Sequence, residues 1–201
     1  MFQKNIHYIF LIISIFLVSF LLYSVSIQKS ISSKVLRLHI LANSNASFDQ
    51  ELKLKVRDNV INYVTPLLKD SISLSQTKEI ISRNIDNINA IAQETVSKYS
   101  NYKTYISLAS SNFPTKHYEN FSFPAGNYEA LKIIIGEGKG NNWWCIMFPP
   151  LCFTNSSSGE FDKDSEKQLK ESLSNEEYAL VNNYEKPDVK IKFRILEWLN
   201  K

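Results

Sequence analysis

Apolar and polar positions divide the chain into a charge-free N-terminal run and a longer segment of mixed polarity. Residues 8–23 contain no charged side chain, Lys4 precedes them, and the apolar character extends to about Ile27. A basic residue followed by an apolar run is typical of a secretory signal. About twenty residues, at about 1.5 Å each, also suffice to cross the hydrocarbon core of a bilayer, which is about 30 Å thick. Residues 1–27 are therefore predicted to be a signal peptide or a membrane anchor.

The two interpretations differ in whether this segment is removed after export. The small residues Ser24 and Ser26 have the alternate spacing of a signal-peptidase site, and a cut there would release a soluble domain. If the segment is retained, residues 8–27 contact the membrane. A buried core helix is disfavoured, because an apolar run at the end of a small domain has no neighbours to cover every face. In both cases we expect residues 34–201 to form a single extracytoplasmic domain.

The residues after this segment carry one strand pattern followed by two helix patterns. Residues 35–41 are apolar and partly alternating, which predicts a first strand, and turn-forming residues follow at 42–45. Two amphipathic helices come next, and the second begins near Ser73 or Ser75. Their apolar stripes consist of Leu52, Val56, Val60, Val64 and Leu67 in the first helix and Ile81, Ile85, Ile88, Ala92 and Val96 in the second. The charged residues between them, such as Lys53, largely face water, and a sheet should cover each apolar face.

Short alternating segments separated by proline and glycine predict the strands of that sheet. They lie at residues 102–108, 128–135 and 143–148. Strands that follow one another at short spacing usually pair as antiparallel hairpins. A polar helical stretch is predicted over residues 162–182, and a last strand, or a helix, over residues 189–199. The pattern predicts an α+β fold, with two N-terminal helices packed on a mostly antiparallel sheet and the hydrophobic export or anchor segment before them.

Charge argues against a nucleic-acid partner. The chain carries 23 basic and 20 acidic residues, a net charge of +3, and the basic residues form no clustered stripe of the kind that binds nucleic acid. The spacing reveals no paired catalytic carboxylates, no serine–histidine–aspartate set and no cofactor motif. It also lacks the cysteine and histidine spacing of a zinc site. The sequence therefore predicts no catalytic residue, no metal site and no cofactor, and favours an exported binding module.

Two cysteines, Cys145 and Cys152, flank a pair of prolines. Outside the cytoplasm such cysteines most simply form a disulfide. Two small buried thiols are the alternative, since free cysteine often packs as a small apolar residue. A catalytic cysteine would need a nearby base such as His39 or His117, and no local signature supports one. Cys145 and Cys152 are thus a candidate disulfide.

Three of the five glycines lie between residues 136 and 140, just before two tryptophans. The segment lacks the glycine–lysine–hydroxyl ending of a Walker A loop, and it precedes a strand rather than a helix, which argues against a phosphate loop. It is either a mobile hairpin loop or a contact surface. Trp143 and Trp144 should point to opposite sides of a strand. One is expected in the core and the other near the surface, where tryptophan is a frequent interface anchor.

A second polar group follows from the first predicted strand. Arg37 and His39 share one strand face, and Asn43 comes just after the strand. They form either a polar patch or an ordinary solvent-facing edge. The candidate partner-binding set, from both regions, is Gly136, Glu137, Gly138, Lys139, Gly140, Asn141, Asn142, Trp143, Trp144, Arg37, His39 and Asn43.

Several of these segments resemble the stage II sporulation protein R family. The matching residues are 36–44, 49–50, 52–58, 123–131 and 135–152. The run from Gly138 to Cys152, with its two tryptophans, two prolines and two cysteines, is long and specific. The resemblance covers about residues 35–153, whereas residues 154–201 match only loosely.

The resemblance implies a role in endospore formation. Members of the family are made in the forespore and exported into the space between its membrane and that of the mother cell. There they trigger a membrane-embedded protease of the mother cell, which cleaves an inactive sigma-factor precursor. The resemblance thus implies a messenger rather than an enzyme and assigns no catalytic residues. An exported cell-wall hydrolase and a structural envelope protein are the alternatives that the residues leave open.

Overall fold

The computed structural model describes residues 2–118, 121–153 and 163–182. Its elements follow in the order α1 (Phe2–Ser32), β1 (Leu36–Leu41), α2 (Ser47–Leu68), α3 (Leu74–Arg83), α4 (Ile85–Ser97), β2 (Thr104–Phe113), β3 (Lys116–Tyr118), β4 (Phe121–Phe123), β5 (Gly126–Ile135), β6 (Asn142–Phe148), a 3₁₀ turn (Leu151–Phe153), α5 (Lys163–Ser172) and α6 (Asn175–Asn182).

Four strands form the main sheet in the order β2-β5-β1-β6, while β3 and β4 pair separately as a short antiparallel sheet. Strand β1 runs parallel to β5 and antiparallel to β6, and β2 pairs antiparallel with β5. The prediction of an α+β fold with a mostly antiparallel sheet is confirmed.

The predicted hairpin around the glycine segment is wrong. Strand β1 lies between β5 and β6, so residues 136–141 cross over the end of β1 instead of joining two paired strands. Close spacing along the chain suggested the hairpin, because consecutive strands are often neighbours in a sheet. Local sequence does not show that an earlier strand is inserted between them.

Helices α2, α3 and α4 cover one face of the main sheet. Leu36, Leu38 and Ile40 point into this layer, where they are buried with the apolar stripes of the helices. The second predicted helix is divided at Asn84, so three helices pack here rather than two. The Asn84 side chain donates a hydrogen bond to the Ile80 carbonyl oxygen at 2.8 Å. Asparagine competes in this way with the backbone hydrogen bonds that would continue the helix.

The other face of the sheet carries a second apolar cluster in which aromatic side chains are prominent. Phe113, Phe121 and Tyr128 pack here with residues from α5 and α6. The polar stretch predicted over residues 162–182 is helical from Lys163, but it is divided into two helices. The element predicted over residues 189–199 lies outside the described residues.

Helix α1 combines the apolar N-terminal run with a short segment that belongs to this second cluster. The stretch from His7 to Ser32 is long and apolar enough to cross a membrane, with a mean hydropathy of 2.5. Ile31, by contrast, is only 1% exposed and packs in the aromatic cluster. A signal peptide and an anchor both meet this description, so the helix fits export or membrane anchoring. It continues past Ile27 into the folded part of the chain.

Glu177 on α6 fixes the end of α1. Ser30 Oγ donates to Glu177 Oε1 and Lys34 Nζ donates to Glu177 Oε2, each at 2.5 Å. The Ser174 backbone N–H donates to the same carboxylate at 2.7 Å. Burial alone would raise the pKa of Glu177, but these hydrogen bonds and the Lys34 charge outweigh it and lower the pKa to about 2. The ionised carboxylate therefore ties α6 to α1.

Candidate functional site

The glycine loop (residues 136–141) and the β1–α2 turn (residues 42–46) form one layer at the end of β1. The Gly140 N–H donates to the Ala42 carbonyl oxygen at 2.9 Å, and the Lys139 N–H donates to the Asn43 carbonyl oxygen at 3.1 Å. The Glu137 N–H also donates to Asn43 Oδ1 at 3.0 Å. The loop and Asn43, which the sequence suggested as two separate regions, therefore lie side by side. These hydrogen bonds argue against a mobile loop.

Glycine is required at two positions of this loop. Gly136 has a φ of 58°, and a Cβ at this position would overlap the Asn43 side chain. A Cβ on Gly140 would overlap the Ser44 carbonyl oxygen, which is backbone and cannot turn aside as a side chain can. The left-handed conformation and the close approach of two backbones both favour a residue without a Cβ. The cluster of glycines thus reflects the crossing of the loop over β1.

Two buried charged residues of α2, Asp49 and Lys53, form hydrogen bonds with this layer. Lys53 Nζ donates to Gln50 Oε1 at 2.6 Å and to the Asn141 carbonyl oxygen at 3.0 Å. Asp49 Oδ2 accepts a hydrogen bond from Asn43 Nδ2 at 2.8 Å. Burial would raise the pKa of Asp49, but hydrogen bonds from Ser44 and Asn43 outweigh it and lower the pKa. Burial lowers the pKa of Lys53, aided by repulsion from a neighbouring arginine.

Sequence reasoning missed the role of both residues. Lys53 was expected to face water because the charges of α2 alternate with its apolar stripe, but it is buried. The sequence offers one indication of this burial: Lys53 directly follows the buried Leu52 and lies near the start of α2, the end of the helix that is close to the loop. Phe48 was missed as well. This aromatic side chain is 48% exposed at the start of α2, the helix that follows the β1–α2 turn.

Trp143 and Trp144 point to opposite faces of β6, as the strand pattern predicted. Trp143 lies on the helical side, where the Arg57 guanidinium is 4.3 Å from the centre of its ring. Trp144 lies on the other side, with Lys116 Nζ 4.0 Å from the centre of its ring. Both tryptophans are half-buried, so the expectation of one core and one surface tryptophan is wrong. A basic side chain covers each ring and leaves both partly accessible.

Arg37 and His39 lie beneath the surface and do not form a solvent-facing patch. Arg37 is 0% exposed and contacts the rings of Phe113 and Tyr128, at 4.1 and 4.8 Å. Its Nη2 donates to the Tyr118 hydroxyl at 2.8 Å. These contacts orient the guanidinium within the aromatic cluster.

His39 is also buried, and its environment favours the neutral ring. The pKa of His39 is lowered to about 4, chiefly because the ring is buried. Interaction with the Asn142 side chain raises the pKa in part, while repulsion from Lys132 and Arg37 lowers it further. The ring lies against Phe113 and Trp144, with centroids 5.4 and 5.7 Å away. His39 is therefore a neutral packing residue at ordinary pH.

Cys145 and Cys152 are joined as a disulfide that links β6 to the 3₁₀ turn, with their Cα atoms 5.5 Å apart. A paired cysteine offers no thiolate for catalysis. Within residues 2–118, 121–153 and 163–182, no group of three or more histidine, cysteine, aspartate or glutamate side chains could hold a metal ion. This end of the molecule is built from loop backbone, side-chain amides, one ion pair and partly exposed aromatic rings.

The fold and this site define a small α+β protein that follows an N-terminal helix suited to export or membrane anchoring. The model of the family named Stage II sporulation protein R matches residues 32–158. Stage II sporulation protein R of Bacillus subtilis (strain 168) is 39% identical over 212 residues, which cover 96% of this chain and 94% of the relative. The chain therefore belongs to the stage II sporulation protein R family and has a role in sporulation. No solved structure matches it.

The family match begins where α1 ends and contains the whole main sheet, the glycine loop and both cysteines. Helices α5 and α6 and most of α1 lie beyond it. The residues that the family model matches thus include both parts of the loop surface, which consists of the glycine loop and the β1–α2 turn.

Proposed function

We propose that the protein is an exported signal from the forespore to the mother cell. It acts in the space between the two membranes and activates a membrane-embedded protease, which then processes a sigma-factor precursor. The observation that carries this proposal is the family match over residues 32–158, which contains the loop surface. The apolar helix before that match supplies the means of export. The protein itself is the messenger, and we assign no catalytic residue to it.

Activation of this kind is a shift between two states of the protease. A ligand moves such an equilibrium only through its differential affinity for the two states. A change from mostly inactive to mostly active requires about 5.5 kcal/mol. Two or three well-packed aromatic or basic anchors, at about 2 kcal/mol each, supply a free energy of that size.

The loop surface offers anchors of this type. The glycine loop, which backbone hydrogen bonds hold in place, exposes Lys139 and Asn141, and the exposed Asn142 follows it. Phe48 is exposed at the start of α2, the helix that follows the β1–α2 turn. A surface that is rigid before binding loses little conformational entropy when the partner docks. This end of the molecule is therefore the proposed contact with the protease, with Trp143 and Trp144 at its border.

Reconstitution in a host without sporulation genes tests the proposal. The sigma-factor precursor, its membrane protease and this protein are co-expressed, with and without residues 1–26. Precursor cleavage only when the export segment is present is the expected result. The deletion stops before Ile27 because Ile31 and Lys34 contribute to the folded part of the chain. Absence of cleavage with both forms, despite stable exported protein, would contradict the proposal.

Three variants separate the messenger from the alternatives. Trp143→Ala and Trp144→Ala should impair cleavage, and intact signalling by both in folded protein would remove β6 from the contact. An exported cell-wall hydrolase would instead lose peptidoglycan-degrading activity in Cys145→Ser. A structural envelope protein would fail as a soluble exported domain, whereas a messenger in that form still activates.

A further inference from the structure

The register of the main sheet arranges the side chains of its second face in rows that cross all four strands. One row consists of Ser107, Lys132, His39 and Trp144. The next row, nearer the glycine loop, consists of Tyr105, Ile134, Leu41 and Asn142. None of these residues is acidic.

Only part of this second face is covered by other elements. The row that contains Arg37 also contains Ala130 and Ile146, and all three are buried under the aromatic cluster. Toward the loop, no described residue outside the sheet continues this cover over the β2 edge. There Tyr105 is 61% exposed, and Ser107 of the adjacent row is exposed as well.

Two basic side chains belong to this uncovered area. Lys132 lies in the middle of it and Lys116 Nζ lies over the Trp144 ring at 4.0 Å. Neither lysine forms an ion pair with a described residue. The buried guanidinium of Arg37 adds positive charge beneath these lysines. The pKa of Lys116 is lowered, first by partial burial and second by repulsion from Arg37.

The nearby acidic residue of the loop does not balance these charges. Glu137 is paired with Lys139 at 2.6 Å, so the loop itself is close to neutral. The uncovered area therefore combines exposed aromatic surface with an excess of positive charge. A partner that is complementary to it carries negative charge and some apolar side chains.

We infer that this uncovered area, defined by Tyr105, Ser107, Lys116, Lys132, Asn142 and Trp144, binds an acidic segment of a protein partner. Carboxylates of the segment pair with Lys116 and Lys132, and separate apolar side chains pack against Tyr105 on β2 and Trp144 on β6, the two edge strands of the sheet. Asn142 follows the glycine loop directly, so the area is continuous with the proposed contact surface. The inference rests on the proposed function in that the segment belongs to the exposed part of the membrane protease.

A protein segment fits this surface better than another polyanion. Lys116 lies over the Trp144 ring, whereas Lys132 is separated from that ring by His39, so the two lysines do not follow a groove of the kind that tracks a nucleic-acid backbone. Tyrosine and tryptophan are frequent anchors of protein interfaces. Because the lysines are partly exposed, the attraction should weaken as salt is added.

Fluorescence anisotropy with a fluorescein-labelled oligoglutamate peptide measures the binding directly. The full chain is used, purified in a non-ionic detergent. Lys132→Glu and Lys116→Glu should each weaken binding at least about tenfold, and added salt should weaken binding to the unaltered protein. Lys98→Glu is the matched control, because Lys98 is an exposed lysine at the end of α4, on the helical side of the sheet. Its affinity should stay within about twofold of the unaltered protein.

Unaltered affinity of Lys132→Glu would overturn the inference, and so would equally tight binding of oligothymidylate. If the charge reversal unfolds the protein, as circular dichroism would show, Lys132→Gln takes its place with the same expectation of weaker binding.

Precursor cleavage by the same variants separates this inference from the proposed function. Loss of peptide binding together with loss of cleavage in Lys132→Glu supports both. Loss of peptide binding with full cleavage overturns the assignment of the partner and leaves the messenger function standing. Peptide binding that depends on Lys132, in an unaltered protein that never triggers cleavage, supports an acidic partner while the proposed function fails.

Discussion

Replacing Gly140 by alanine should loosen the glycine loop without removing any exposed side chain. The new Cβ would overlap the Ser44 carbonyl oxygen and lie 2.9 Å from the Ala42 Cβ. The loop can retreat only by giving up the hydrogen bonds from Gly140 to Ala42 and from Lys139 to Asn43. Each of the two bonds is worth about 1 kcal/mol and crowding costs about 1–3 kcal/mol, so the free energy of unfolding should fall by about 3–5 kcal/mol.

Guanidinium unfolding of the full chain in detergent, followed by circular dichroism, measures this loss. Lys139→Ala is the control, because it removes the ion pair with Glu137 but keeps the backbone hydrogen bond of residue 139. The control should leave the free energy of unfolding nearly unchanged, because an exposed ion pair contributes little to stability. Gly140→Ala should also reduce precursor cleavage at temperatures where it remains folded. An unfolding midpoint equal to that of the control would refute the reasoning about the crossing backbones.

Three further predictions concern the supports around the sheet. The pKa of His39 is about 4 in the folded chain and 6.5 in the unfolded chain, so that between these values only the unfolded chain takes up the proton. The free energy of unfolding should therefore fall by about 3 kcal/mol as the pH is lowered from about 7 to 4. Unfolding curves recorded across that range should show that His39→Gln removes most of this loss. Glu177→Gln should lower the free energy of unfolding by about 2 kcal/mol at neutral pH, because it removes the charge that accepts the hydrogen bonds from Ser30 and Lys34. The pKa of Glu177 is lowered from 4.5 to about 2 in the folded chain, so the difference between the two proteins should disappear as the pH falls through this range. Thermal melts of both proteins between these pH values measure the difference. Replacing Cys145 and Cys152 together by serine should cost about 2.5 kcal/mol, the value for a short closed loop, and a mass difference on reduction and alkylation verifies the bond.

The helical layer could be predicted from sequence because its signal is local. Val56, Val60 and Val64 repeat at helical spacing, and all three are buried on the sheet. The division at Asn84 was missed because the apolar stripe continues across it, and only the side-chain hydrogen bond to Ile80 explains the break. The position of β1 was missed for a different reason. It depends on pairing between residues distant in sequence, which no local pattern encodes.

The candidate site was predicted in its parts but not in its assembly. The glycines, Asn43 and the two tryptophans could be picked out by residue type. Their arrangement follows from the insertion of β1 between β5 and β6, which brings the β1–α2 turn under the loop. The same insertion puts Arg37 and His39 in the middle of the sheet, where both are buried. Strand alternation placed those two residues on one face but could not show that the face is partly covered.

The junction between α1 and the folded chain makes the two fates of the export segment compatible with one structure. Among the described residues, the contacts that fix the junction lie after Ser26: Ile31 packs in the aromatic cluster, and Ser30 and Lys34 form hydrogen bonds with Glu177. A cut at the small residues 24–26 would therefore leave the cluster and the carboxylate contacts complete. Retention of the helix would leave them equally complete and add a membrane tether. The proposed contact surface is therefore present in either form, because the glycine loop lies at the carboxyl end of β1 and α1 leads into the start of that strand.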